Sequence, residues 1–110
     1  MLGGTLHISE GPLRAAQRGQ EFEASWRYSW EFVVDKKVVA QGNDDFIHRG
    51  RTKFRIKRGI RITDGLYLEI DGEVRQNKLD MRVSGSFRHG GQEHNLAPDI
   101  RLSAPVKQRR

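Results

Sequence analysis

Residues 22–34 read FEASWRYSWEFVV, and an apolar side chain stands at every second position from Phe22 to Val34. Successive side chains of a β-strand point to opposite faces of its sheet, so this period of two predicts a strand with an aromatic inner face and a polar outer face. The stretch has 13 residues, which exceeds the usual strand length of roughly 5–6 residues. A bend or bulge is therefore expected in it, as curled sheets require.

Shorter alternating stretches follow this one along the chain, and polar turn residues separate them. The predicted strands other than 22–34 cover approximately residues 5–9, 38–40, 46–57, 60–62, 66–70, 79–87 and 96–102. Turn chemistry marks Asp35-Lys36-Lys37, Gly42 to Asp45, Thr63-Asp64-Gly65, Asp71-Gly72, Gln76-Asn77 and His89-Gly90-Gly91. The pattern predicts an all-β fold, a small antiparallel meander barrel or sandwich of 7–8 strands. Helix is limited to at most one short turn near 12–18, between Pro12 and Gly19.

Length and composition limit the organisation of the chain. The 110 residues contain no cysteine, so one domain without disulfides or thiolate metal ligands is expected. We expect this domain to cover 1–103 and a flexible basic tail to cover 104–110. No apolar run approaches the roughly 20 residues of a membrane-spanning helix, and the first residues do not resemble a signal peptide. A soluble, cytoplasmic protein is the expectation.

The positive charge is concentrated in the second half of the chain. Residues 1–47 carry 5 Lys and Arg against 7 Asp and Glu, whereas residues 48–110 carry 15 against 7. One strand, residues 51–57, places four cations on one face. With two flanking arginines, they form what we call the basic strand face: Arg49, Arg51, Lys53, Arg55, Lys57 and Arg61.

The basic strand face has two interpretations. Cations that repeat every roughly 6.6–7 Å along a strand match the phosphate spacing of an extended nucleic acid, whose backbone supplies most sequence-independent affinity. Alternatively, the cations pair with acids of neighbouring strands, such as Glu69, Asp71 and Glu73, or Glu23 and Glu31. Outward aromatic residues for base stacking are scarce, Tyr67 being the exception.

The aromatic inner face also has two interpretations. Trp26, Tyr28, Trp30 and Phe32 could line a pocket for a small, largely apolar ligand, because an eight-stranded barrel has room for one small molecule. Alternatively, they fill the core, since large aromatics build a small core efficiently.

The remaining polar residues predict no catalytic or metal site. His7, His48, His89 and His94 lack the spacings of zinc motifs. The carboxylates fall in predicted turns or on outward faces, where no desolvated cleft would raise their pKa. Arg58 is expected to face water beside Gly59; if it keeps the parity of Phe54, it is an inward cation. No cofactor is expected.

The sequence therefore favours a non-enzymatic binding or regulatory protein that presents the basic strand face to an anionic partner, either nucleic acid or an acidic protein surface. The alternative is a barrel that binds a small apolar molecule as a carrier or a cofactor-free enzyme. A third possibility is an assembly subunit in which edge strands pair between copies, giving a homo-oligomer.

Overall fold

The computed structural model describes residues 3–60 and 65–109, and the regular elements in these ranges are all β-strands. The eight strands are β1 (Gly4–Arg18), β2 (Glu21–Val34), β3 (Lys37–Gly50), β4 (Lys53–Ile60), β5 (Leu66–Arg75), β6 (Lys78–His89), β7 (Gln92–Asn95) and β8 (Ile100–Gln108). The predicted all-β class is confirmed. No helix in the described residues has the length and apolar character to cross a membrane.

The strands form a curled sheet in the order β3-β2-β1-β8-β6-β5-β4, with β7 paired to β6. Neighbours pair antiparallel, except that β1 and β8 run parallel over residues 15–17 and 106–108. The last strand thus lies inside the sheet, between β1 and β6. The sheet curls into a half-barrel, consistent with the predicted small barrel, and the molecule measures 54 × 19 × 19 Å.

The core forms where the inner face of β2 packs against β5 and β6. Even-numbered residues of β2 from Phe22 to Val34 are buried, as the alternation predicts. Phe32 stacks on Phe87 of β6 with ring centroids 4.6 Å apart, and Trp30 lies 5.6 Å from the same ring. Each large side chain buried in this way contributes about 1.5–3 kcal/mol through removal of apolar surface from water.

Two of the predicted turns are two-residue turns of antiparallel hairpins. Asp35 and Lys36 join β2 to β3 with φ of 51° and 64°, and Gln76 and Asn77 join β5 to β6 with φ of 50° and 61°. Two consecutive positive φ angles match the right-handed twist of the flanking strands. The bulge expected within residues 22–34 lies on the neighbouring strands instead: the β2–β3 register leaves Val39 of β3 as the extra residue, and the β1–β2 register places the extra residue of its shift in β1, between Glu10 and Leu13.

Two predicted turns lie inside strands instead. Gly42 to Asp45 belong to β3 and Asp71-Gly72 to β5. In each case the glycine provides space for an aromatic ring, because a Cβ at Gly42 would lie 2.9 Å from the Trp30 indole nitrogen and one at Gly72 would overlap the Phe54 ring. Of the predicted turn at 63–65, Thr63 and Asp64 lie outside the described residues.

Both chain ends extend further into the sheet than the sequence indicates. Residues 12–18 form the second part of β1 and not a helical turn, because after a bulge between Glu10 and Leu13 they pair with β2. Residues 104–108, expected as a flexible tail, belong to β8, and Ala104 and Val106 are buried.

The predicted strand over 46–57 is divided at a corner between β3 and β4. Gly50 has φ of 140°, which favours glycine, and residues 51 and 52 separate the two strands. β3 and β4 are the two ends of the sheet order. Side chains close the gap between them, which we call the seam: His48 stacks on Phe54 with ring centroids 4.0 Å apart, and Arg58 pairs with Asp44.

Candidate functional site

The outward face of β4 carries the central part of the basic strand face. Lys53, Arg55 and Lys57 are exposed, while Phe54 between them is buried. The alternation of β4 therefore places the cations as predicted. Pairing with β5 decides what surrounds them.

The three cations of β4 each face an acid of β5 in the antiparallel register: Lys53 opposite Glu73, Arg55 opposite Asp71, and Lys57 opposite Glu69. Arg55 Nε lies 2.7 Å from Asp71 Oδ1 and 3.5 Å from Glu69 Oε1. The hydrogen bond to Asp71 raises the pKa of the Arg55 guanidinium. Acids therefore compensate much of the positive charge on this part of the face.

The other members of the basic strand face have different surroundings. Arg49 on β3 pairs with Glu23 on β2 at 3.1 Å. Arg51 lies at the corner after β3, and its carbonyl accepts a hydrogen bond from His48 Nε2 at 2.9 Å. Its side chain is exposed and has no ionic partner among the described residues. Arg61 lies outside the described residues.

A second group of arginines surrounds Arg51 at one end of the molecule. Four arginines, which we call the basic end, line a depression of about 900 Å³ there together with Glu21 and Glu23: Arg18, Arg49, Arg51 and Arg109. The ion pair described among these residues joins Arg49 to Glu23. The guanidinium groups of Arg18, Arg51 and Arg109 have no ionic partner within the described part of the chain.

The topology of the sheet assembles the basic end from three distant segments. Arg18 ends β1, just before Gly19 with φ of 62°. The parallel pairing of β8 with β1 brings the end of the chain alongside, and the Arg109 amide donates a hydrogen bond of 2.8 Å to the Gln17 carbonyl. Arg18 and Arg109 are not among the predicted site residues, because local spacing does not show this convergence. The four cations among residues 101–110 were the available signal.

The predicted pocket residues lie on the inner face and pack against one another. Trp26, Tyr28, Trp30 and Phe32 are each at most 3 % exposed. Trp26 and Tyr28 stack with ring centroids 4.5 Å apart, which favours core packing. The indole nitrogens of Trp26 and Trp30 are buried and have no hydrogen-bond partner among the described residues, so a ligand in this region stays a prediction.

A polar cluster lies beside these rings at the seam. The Tyr28 hydroxyl donates a hydrogen bond of 2.8 Å to Asp44 Oδ2, and Arg58 Nη2 lies 2.9 Å from the same oxygen. Burial, with the hydrogen bond to Asp44, raises the pKa of the Tyr28 phenol. The expectation that Arg58 faces water is wrong: it keeps the inward parity of Phe54 and is half-buried, because β4 continues through Gly59 and Asp44 supplies a counter-charge.

The histidines pack against aromatic rings. His89 and His94 lie across the β6–β7 hairpin, and their rings lie 5.4 Å and 4.9 Å from that of Phe32. His48 stacks on Phe54. The described residues contain no group of three or more His, Cys, Asp or Glu side chains placed to hold a metal ion.

Comparison with known proteins identifies no relative of this chain. Neither the protein-family models, nor the curated proteins, nor the solved structures give a match to this chain.

Proposed function

We propose that this protein is a non-enzymatic binding protein whose basic end binds the phosphate backbone of a nucleic acid. The observation that carries the proposal is the convergence of Arg18, Arg51 and Arg109, all without ionic partners among the described residues, around one open depression. A guanidinium group presents a planar fork of donors that suits phosphate oxygens. Neutralising phosphates releases condensed counterions, which drives binding without reading the base sequence.

The charge distribution favours the basic end over the centre of β4 as the principal contact. Lys53, Arg55 and Lys57 face acids of β5, and those acids would repel a phosphate backbone. Arg51 belongs to both the basic strand face and the basic end, and it has no ionic partner among the described residues. No exposed aromatic residue lines the depression, which favours backbone recognition over base stacking.

The proposal is tested by fluorescence anisotropy with labelled single-stranded and duplex oligonucleotides over a series of salt concentrations. We expect binding at low salt, with log K falling linearly against log salt. Replacing Arg51 and Arg109 with Gln should weaken binding to every sequence, and each replacement should reduce the salt slope by about one. No binding at low salt would overturn the proposal.

A matched control is available at the opposite end of the molecule. Arg88 is exposed on β6 next to Phe87, which packs on Phe32, whereas Arg18 lies at the other end of the β1–β2 pair. Arg88→Gln makes the same charge change and should leave affinity nearly unaltered. An equal loss in Arg88→Gln would mean that net charge, and not the basic end, drives binding. An acidic peptide that competes as well as the oligonucleotide would transfer the site to an acidic protein partner.

A second candidate function is binding of a small, largely apolar molecule beside Trp26 and Trp30. Their buried, unpartnered indole N–H groups favour it, because an unsatisfied buried donor costs about 1–3 kcal/mol and a ligand acceptor would remove that cost. Titration of apolar compounds carrying a carbonyl should then shift the tryptophan emission saturably, and Trp30→Phe should reduce the shift. A spectrum unchanged across such compounds would eliminate this candidate.

A further inference from the structure

The outward face of β8 carries cations and no acid. Residues 100–110 contain no Asp or Glu, and three of their exposed odd-numbered positions are Arg101, Lys107 and Arg109. Within the described ranges no ion pair involves any of these three cations. The outward cations of β4, by contrast, each face an acid of β5, and strand β6 separates β8 from those acids.

Strand β6 adds two cations on one side of β8. In the antiparallel register Lys78 lies opposite Pro105, and Arg82 lies opposite Arg101. Like charges directly opposite each other destabilise a sheet. Asp99 pairs with Arg82 at 3.3 Å, which leaves Arg101 as the member of this arginine pair without a counter-charge in the described chain.

Strand β1 adds two further cations on the other side of β8. Arg18 lines the same depression as Arg109. Arg14 is exposed and directly precedes the buried Ala15, which pairs with Val106 in the parallel ladder. Seven cations thus follow the outer face of β8 and its two neighbours, and we call them the β8 stripe: Arg14, Arg18, Lys78, Arg82, Arg101, Lys107 and Arg109.

The β8 stripe is much longer than a single anion site. Eight residues separate Arg101 from Arg109, a span of roughly 26 Å at the rise of a β-strand. Cations lie beside every outward position of this span except Ser103, where Asp80 lies opposite. That carboxylate lies 3.9 Å from Lys78, so its charge is partly compensated.

A second depression lies where the stripe reaches Arg101. Its volume is about 760 Å³, and Arg82, Arg101 and Ser103 are among its lining residues. The three carboxylates of its lining already pair with cations: Asp71 with Arg55, Glu73 with Arg75 and Asp80 with Lys78. The strand β8 therefore connects two depressions, each of which offers arginines that lack a counter-charge among the described residues.

We propose that the bound nucleic acid is single-stranded and follows the β8 stripe from the basic end to the depression at Arg101. The proposal rests on the proposed function and names its substrate class. Alternate residues of β8 repeat every roughly 6.6–7 Å, which matches the phosphates of an extended strand, and a positive groove that follows the backbone is typical of single-strand binding. The strands of a duplex wind around their common axis, so neither follows such a row of cations.

Contact at both ends of the stripe should make affinity depend on strand length. A strand that reaches both depressions makes its second contact intramolecularly, which strengthens binding beyond either contact alone. Strands of roughly four nucleotides are too short to reach Arg101 from the basic end, whereas strands of roughly ten span the stripe. Anisotropy or competition with labelled oligothymidylates of these two lengths measures the difference.

Arg101→Gln should weaken the longer strand about threefold to fivefold, as loss of an exposed charge pair does, and leave the shorter strand unaffected. Arg109→Gln should weaken both strands. Arg88→Gln is the matched control, because it removes an exposed cation of β6 that lies beyond the stripe, and it should change neither affinity.

The possible outcomes separate this proposal from the proposed function. If the longer strand binds Arg101→Gln as tightly as the wild-type protein, the path along β8 is wrong, and a loss in Arg109→Gln would then still support the basic end. Absence of binding by the wild-type protein at low salt would overturn both. A duplex that binds more tightly than the single strand of equal length would overturn the assignment to single strands.

The salt dependence counts the phosphates in contact. For a single strand, log K falls against log salt with a slope of about −0.7 for each neutralised phosphate. Two or more additional contacts of the longer strand should steepen this slope by about 1.4 or more. Equal slopes for the two lengths would contradict the path along β8.

Photo-cross-linking locates the strand without removing a charge. The chain has no cysteine, so Ser103→Cys introduces a single thiol for a photoreactive label at an exposed position of the stripe. The label should capture the longer oligothymidylate. Gln41→Cys, at an exposed position of β3, is the control and should capture little. Equal yields from the two positions would contradict the proposed path.

Discussion

Arg58 on β4 places its guanidinium group 2.9 Å from the carboxylate of Asp44 on β3. These two strands are the ends of the curled sheet, so the ion pair joins two strands that no backbone ladder links in the described residues. Tyr28 donates a hydrogen bond of 2.8 Å to the same oxygen. The cluster therefore connects β2, β3 and β4 at the seam.

Breaking the ion pair should destabilise the fold. Asp44→Asn and Arg58→Met should each lower the free energy of unfolding, and their coupling in a double-mutant cycle should be about 1 kcal/mol. The value is modest because the side chains of Arg58 and Asp44 are 32 % and 23 % exposed, so solvent screens the attraction. Urea denaturation measures it, with Arg27→Met and Asp45→Asn as an exposed control pair on β2 and β3. Zero coupling at the seam would show that the ion pair does not hold the sheet ends together.

Stability should also fall at alkaline pH because of Tyr28. Its pKa is raised above the ordinary value of 10.0 in the folded protein, so above that pH the unfolded state releases the phenolic proton while the folded state retains it. The stabilisation is therefore complete below pH 10 and is lost as pH rises toward the folded-state pKa. Tyr28→Phe should flatten this part of the pH profile of unfolding, and Tyr67→Phe serves as the exposed control. Identical alkaline profiles for wild type and Tyr28→Phe would contradict the expectation.

A methyl group at Gly72 should disturb the β4–β5 packing. A Cβ there would overlap the Phe54 ring, and that ring cannot move away without leaving its stack on His48. We expect Gly72→Ala to lose about 1–3 kcal/mol in thermal or urea unfolding, as overpacking does. Gly59→Ala is the control, because no atom lies within 4 Å of a Cβ at Gly59, and it should be neutral or slightly stabilising. Equal stability of the two variants would mean that Phe54 is free to relocate.

The strand β8 should contribute to stability, although the sequence predicts a flexible tail from residue 104 onward. Val106 in β8 is 2 % exposed, so Val106→Ala should lower the free energy of unfolding by about 2 kcal/mol, from two lost methyl groups and the cavity they leave. Lys107→Ala, at the exposed neighbouring position, should change little. If Val106→Ala unfolds like the wild type, residues 104–108 do not contribute to the core.

Sequence reasoning predicted the strands and misjudged the polar residues within them. The alternation from Phe22 to Val34 identified the inner face because burial repeats every second residue along a strand. Gly42 to Asp45 resembled a turn because isolated Gly, Asn and Asp favour turns. In the folded chain Gly42 makes room for Trp30, and Asp44 binds Tyr28 and Arg58. Such contacts join residues far apart in the sequence, so local composition does not reveal them.

The candidate site, like the fold, could be predicted from the sequence only in part. The sequence identified the cations of β4 and which face they occupy, and it named pairing with acids as one outcome. It did not identify the basic end, because Arg18, Arg51 and Arg109 meet only when β8 inserts beside β1. The alternation within β1 and β8 shows their faces, but it does not show that the two strands pair with each other, because that pairing joins residues about 90 positions apart.

The sequence by itself determined the class of fold, the inner and outer faces of β2, β4, β5 and β6, and the positions of the turns at residues 35–36, 76–77 and 90–91. These properties follow from side-chain alternation and from the backbone preferences of a few residues, and both act over short distances along the chain. The tertiary structure alone decided the strand order, the closure of the seam by Arg58 and Asp44, and which cations lack a counter-charge. The physical reason is that charge compensation and sheet closure depend on distances between segments, and folding sets those distances.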